Sequence, residues 1–233
     1  MSGPAKVLRV GSRLVLVGTV HVDPASRSLV KDTVMEVRPE VVGLEIDRER
    51  LFGLQNPGLA KPSIAGGPSF LAMALLEKFA GQLTGSSPGL EMLEAVGAAR
   101  TIGARVELID RPIGITVAGL KRLPLGEKLR IGVDGVASLV FLPFGKADFS
   151  QLMDDIDNQL QIFRSRYPNL SRLLLDDREE YMAERIRRVL DETVGQVVVV
   201  VGFGHLRNIA RRVEGYREGA GFSARLTWTL GTG

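Results

Sequence analysis

A chain of 233 residues with 45% apolar and 24% charged side chains has the material for one sizeable core. A net charge of only +3, no long basic block and 6% aromatic residues argue against a nucleic-acid partner. There is no cysteine, which excludes disulfides, thiolate metal sites and a cysteine nucleophile.

Met1 to Arg9 lacks the apolar run of a signal peptide. The longest apolar-leaning stretch, Ile131 to Phe144, is broken by Asp134, two glycines and Pro143, and falls short of the roughly 20 residues that span a bilayer. A soluble, cytoplasmic protein with no membrane span in this chain is therefore expected.

The first third reads as a βαβ unit. Val7 to Val17 is a strand pair turned at Gly11-Ser12, its second arm ending at Gly18. Asp23-Pro24 opens a helix with an acid at the cap and proline in the first turn, and Leu29, Val30, Val34 and Val37 recur at helical spacing. Arg38-Pro39 ends it, and Val41 to Ile46 is the next strand, parallel to the one before.

A helical insert follows, over about 52–103. Asn56 to Pro68 reads as a loop, Ser69 to Gly81 as an apolar helix and Leu90 to Ile102 as a second helix. Ala104 to Ile109 returns to strand and ends at Asp110-Arg111-Pro112. Glycine and proline cut Ile113 to Gly145 into what reads as short helical pieces. Two long amphipathic helices, Ala147 to Arg166 and Ser171 to Asp191, occupy about 147–192. Val197 to Val201 is a buried strand, His205 to Val213 a helix and Ala224 to Leu230 a last strand. This order predicts an α/β fold: one domain over 1–233, with a mostly parallel sheet flanked by helices and a helical cap over the strand C-terminal edge.

The chemistry is expected at that edge, where open α/β sheets place their ligands. The chain has two histidines, and both close a Gly-x-x-His pattern just past a strand: Gly18-Thr19-Val20-His21 and Gly202-Phe203-Gly204-His205. Imidazoles in equivalent settings at opposite ends of the chain suggest two halves of one site, suited to metal binding or proton transfer. Glu45 is the third marker. A carboxylate inside an apolar strand is costly unless matched by a metal, a cation or a proton; otherwise it simply faces solvent at the strand end. Asp47, two residues on, falls in the following loop.

Asp110 and Arg111 end a third strand, either contributing an acid and a base to the same edge or pairing locally to cap a turn. The acids of Asp176-Asp177-Arg178-Glu179-Glu180 answer a helix macrodipole and need no further function. Arg178 is the member able to clamp a carboxylate or a developing oxyanion. Glu91 sits at a helix start, where a carboxylate is favourable anyway. Gly202-Phe203-Gly204 begins like a dinucleotide fingerprint, but Arg207 takes the third glycine position and no acid follows at the right distance, so that reading fails.

Gly18-Thr19-Val20-His21-Val22, Arg38 to Glu45, Pro88-Gly89-Leu90-Glu91-Met92, Ile109-Asp110-Arg111, Asp177 to Ala183 and Val201 to His205 together resemble the TraB/PrgY family of pheromone-shutdown proteins, over roughly Val15 to Ile209. That family resembles a wider group of Tiki proteases, ChaN-like and erythromycin-esterase-like proteins. Many microbial relatives carry an apolar C-terminal portion able to enter a membrane, and none is read before Gly233.

The resemblance implies a divalent-metal-dependent hydrolase acting on peptides, with the two Gly-x-x-His motifs and the strand-end acid as its centre. In the mechanism expected, His21, Glu45 and His205 hold one ion of Mn, Co, Zn or Fe. Glu91 or Asp110 takes the proton from water, and Arg178 and Arg111 stabilise the oxyanion. The alternatives are a metal-free esterase-like hydrolase, with a histidine base oriented by Glu45, and a module that binds small hydrophobic peptides without turnover. Pairing of the Ser69 to Gly81 helix in a homodimer is compatible with each.

Overall fold

The computed structural model describes residues 6–19, 24–56, 89–141, 156–214 and 228–229. His21, the helix expected over Ser69 to Gly81 and most of the loop before it lie outside these residues. The chain divides into two compact units, one drawn from 1–61, 84–112 and 178–233, the other from 62–83 and 113–177.

The first unit holds the sheet. Its strands are β1 (Lys6–Val10), β2 (Leu14–Thr19), β3 (Val41–Leu44), β4 (Arg105–Leu108), β5 (Val197–Gly202) and β6 (Trp228–Thr229), in the spatial order β4-β3-β5-β2-β1-β6. β4, β3, β5 and β2 are mutually parallel, while β1 runs antiparallel to both β2 and β6. The fold is therefore α/β with a mostly parallel sheet, as the sequence predicts. β5 lies between β2 and β3, so the two strands of the N-terminal βαβ unit are parallel without touching.

Alternation along the central strands decides which helices cover which face. Val197, Val199 and Val201 of β5, with Leu14 and Leu16 of β2, pack on α8 (Asp177–Glu192) and α9 (Phe203–Glu214) through Met182, Ile186, Leu206 and Ile209. Val198 and Val200, with Val15 and Val17, pack on α1 (Pro24–Val37) and α3 (Leu90–Ile102) through Val30, Val34, Met92 and Ala95. β2 is followed by α1 on one face, and β5 by α9 on the other. Neighbouring parallel strands whose connections leave to opposite faces open a crevice at their C-terminal ends.

Local signals explain the element ends. Gly11, at φ +63°, makes the hairpin turn. Arg38 takes a left-handed φ of +47° just past α1, and its N–H returns to the carbonyl of Val34. β3 stops at Leu44, shorter than the expected Val41 to Ile46. Asp47 is then not a plain loop residue but the N-cap of α2 (Arg48–Gln55), accepting from the N–H groups of Glu49 and Arg50.

The second unit is helical: α4 (Ile113–Arg122), α5 (Leu125–Phe141), α6 (Ile156–Arg166), α7 (Pro168–Ser171) and a π-helical segment Arg172–Asp176. The region read as short pieces is two helices of 10 and 17 residues. Gly126 and Gly132 have open space around them and cost α5 propensity without breaking it. Leu120, Leu123 and Leu170 form the core of this unit. Glu127 is buried and satisfies the start of α7, accepting from Leu170 N–H at 2.9 Å and Asn169 Nδ2 at 2.8 Å. Among the described residues no helix is long and apolar enough to cross a membrane.

Candidate functional site

The C-terminal ends of β3, β4 and β5 gather most of the residues singled out in the sequence. Glu45 follows β3 directly; its N–H continues the ladder to Val200 of β5 at 3.0 Å, which fixes its side chain beside the end of that strand. There Oε2 accepts from the N–H of Gly202 at 2.7 Å. The first Gly-x-x-His glycine has a packing reason as well. A Cβ on Gly18 would sit 2.9 Å from Leu206 Cδ2, so β2 and the first turn of α9 approach closely only without it.

His205 lies in that first turn. The buried positions of α9 are His205, Leu206, Ile209, Ala210 and Val213, so helical periodicity turns the imidazole inward. Its Nδ1 lies 3.0 Å from Oε1 of Glu179, and its Nε2 lies 3.6 Å from Oε1 of Glu45.

Arg178 joins Glu45 to the end of β4. Nε and Nη2 grip Asp110 Oδ1 and Oδ2 at 2.8 and 2.7 Å, a bidentate pair, and Nη2 also lies 2.7 Å from Glu45 Oε1. Arg50 of α2 approaches Asp110 Oδ2 at 3.5 Å. Burial works against the charge on Arg178, but Glu45, Asp110 and Asp47 outweigh it and raise the guanidinium further above its ordinary value. Nη1 makes no hydrogen bond among the described residues.

Asp110 thus has both oxygens committed to guanidinium groups, and its Oδ1 also accepts from the N–H of Arg111 at 2.9 Å. This suits it to hold Arg178 more than to take a proton. Arg111 and Glu91 are both buried. Glu91 is in the first turn of α3, where its Oε2 accepts from Gly89 N–H at 3.4 Å.

Glu179 is the functional residue that sequence reasoning passed over. Read there as a macrodipole acid, it is 1% exposed and faces His205. The signal was present: Met182, Ala183, Ile186, Val189 and Leu190 mark the buried face of α8, and one turn back that face reaches position 179.

Glu45 Oε1 and His205 Nε2, at 3.6 Å, are beyond hydrogen-bond range. Two ligands of a tetrahedral ion with bonds of about 2.1 Å lie roughly 3.4 Å apart, so this pair is compatible with a divalent cation. Among the described residues no group of three His, Cys, Asp or Glu is placed to hold an ion, and the third expected ligand, His21, lies outside them.

The fold and this edge define the class: an α/β protein with a buried histidine, buried carboxylates and a partly buried arginine at a topological switch point. Residues 136–218, which include Arg178, Glu179 and His205, match the TraB/PrgY/gumN family. The chain is 29% identical to an uncharacterized protein of Methanocaldococcus jannaschii over 88% of its own length and 54% of that protein's. It is 29% identical to the TraB domain-containing proteins of Bos taurus and Homo sapiens, over 86% of this chain and 62% of each of theirs. These matches bear out the TraB/PrgY resemblance, and the chain spans between half and two thirds of the length of these relatives.

Proposed function

We propose that this chain is a hydrolase of peptide bonds whose centre is His205, Glu45 and Arg178, with His21 as the further ligand of one divalent ion. The observation that carries the reading is the pairing of His205 Nε2 with Glu45 Oε1 at 3.6 Å at the mouth of β3 and β5. Both side chains are buried, where a basic nitrogen and a carboxylate oxygen this close call for a compensating ion, cation or proton. His21, Glu45 and His205 would hold one ion of Mn, Co, Zn or Fe, which when bound would supply Lewis acidity.

The chain's own groups do the rest. Gly202 N–H and Arg178 fix the Glu45 carboxylate from two directions. Asp110 holds Arg178 in turn, leaving Nη1 as the donor available to a developing oxyanion. Glu91, buried in the first turn of α3, is the carboxylate assigned to take up the proton of water.

The contact between Glu179 and His205 favours a second reading, in which His205 serves as a general base without metal, as in esterase-like hydrolysis. Chelators separate the two.

The test is digestion of a mixed peptide library by the purified protein with each of the four ions, read by mass spectrometry. Cleavage products that vanish in Glu45→Gln and His205→Ala, and with chelator, are expected. Cleavage that survives chelation selects the metal-free reading. Peptides recovered intact from folded, metal-supplied protein contradict hydrolysis and leave peptide binding.

A further inference from the structure

We infer that Glu179 is the positioning residue of this site: it holds the His205 ring in the tautomer protonated on Nδ1, so that Nε2 presents its lone pair toward Glu45. Glu179 is 1% exposed, and its Oε1 lies 3.0 Å from Nδ1. A carboxylate oxygen accepts hydrogen bonds, so Nδ1 carries the proton. The opposite tautomer would set a nitrogen lone pair against that oxygen at 3.0 Å, whereas Nε2 stands 3.6 Å from a Glu45 oxygen already compensated by Arg178 at 2.7 Å.

The arrangement is built from one stripe of α9. His205, Asn208 and Arg212 stand at i, i+3 and i+7, and all three address the same carboxylate. Asn208 Nδ2 donates to Oε1 at 3.1 Å, and Arg212 Nη2 lies 3.6 Å from Oε2. Arg212 is itself tied down, because its Nη1 lies 2.5 Å from Glu180 Oε2 and Glu180 Oε1 accepts from Arg187 at 3.0 Å. Oε1 of Glu179 therefore takes both hydrogen bonds, from His205 and Asn208, while Oε2 has the Arg212 guanidinium as an ion-pair neighbour and no hydrogen bond. Second-partner carboxylates of this kind set which ring nitrogen is free to act.

The use made of Nε2 rests on the proposed function; the tautomer itself does not. With two histidines in the chain, a long-range ¹H–¹⁵N correlation spectrum of the rings is simple, and a His21→Ala variant assigns it. At pH of about 9, where an ordinary histidine is neutral, His205 of the metal-free wild type is expected as the Nδ1–H tautomer, and Glu179→Met is expected to shift it toward Nε2–H. Zinc alone, titrated as probe, should bind Glu179→Met roughly 10–100-fold more weakly than wild type.

A wild-type ring protonated on Nε2 alone, or on both nitrogens, overturns the assignment. So does a Glu179→Met ring that keeps Nδ1–H. If Glu179→Met does not fold, the wild-type spectrum still decides. If wild type shows Nδ1–H but binds neither zinc nor Mn, Co or Fe titrated in its place, the metal-dependent reading falls and the positioning role stands.

Discussion

Arg178 grips Asp110 through two parallel hydrogen bonds, Nε to Oδ1 at 2.8 Å and Nη2 to Oδ2 at 2.7 Å. Sixty-eight residues separate the partners, and the pair closes the gap between the end of β4 and the start of α8. Because Nη2 also reaches Glu45, the guanidinium compensates two carboxylates whose side chains are 3% and 6% exposed. Arg178→Met should therefore cost about 3–5 kcal/mol in urea unfolding, since it strands buried charge. Adding Asp110→Asn should recover part of that loss. Strict additivity of the two substitutions would show that the pair is not coupled.

Gly18 and Gly204, one from each Gly-x-x-His motif, give opposite expectations. Gly18→Val places side-chain atoms against the buried Leu206 and should destabilise by about 1–3 kcal/mol. Gly204 has open space around its Cβ position and lies within α9. Gly204→Ala should then be neutral or stabilising by about 0.5–1 kcal/mol. Thermal melts of both variants check this. Equal damage would mean that the Gly-x-Gly run is needed for close approach of something other than protein.

Gly89 is constrained twice. Its φ is +122°, and an added Cβ would lie 2.2 Å from Leu54 Cδ1. Gly89→Ala should loosen the start of α3 and raise amide exchange at Leu90 to Leu93, more than Gly97→Ala does in the middle of the same helix, where space is open. Similar exchange in the two variants would remove the strain argument.

Asp134 gives the second unit an acid-sensitive link. Its hydrogen bonds to Arg166 and Tyr167 pull its carboxyl from 3.8 down to about 2. A folded-state value below the unfolded one means that the contribution is complete above pH of about 4 and disappears as pH falls through about 2. Melting temperatures of wild type and Asp134→Asn should differ above pH 4 (roughly the unfolded value) and converge toward pH 2. A constant gap down to that pH would contradict the linkage.

Much of this architecture is legible in the chain because its signals are local. The turn at Gly11-Ser12, the opening of α1 at Pro24 and the five valines of β5 each declare themselves within a few residues. The insertion of β5 between β2 and β3 is not legible, because periodicity says which face a strand buries and nothing about its neighbour. The length of α5 was hidden by glycines that tolerate a helix where nothing crowds them.

The site divides in the same way. Glu45 and His205 stand out as polar residues against apolar runs, and the structure brings them together. Arg178 was legible as a clamp, though its partners Asp110 and Glu45 were not, since their pairing depends on strand order. Glu179 was hidden among four acids. Charge at a helix start explains all four equally well, and only the buried stripe of α8 singles one out.

The proposed metal-dependent centre joins His205 and Glu45 with His21. Elemental analysis of protein purified without a histidine tag, beside the His21→Ala/His205→Ala double variant, tests it most directly. About one Mn, Co, Zn or Fe per wild-type chain is expected, and none in a folded double variant. No metal in wild type even after reconstitution, or equal metal in the double variant, would contradict it.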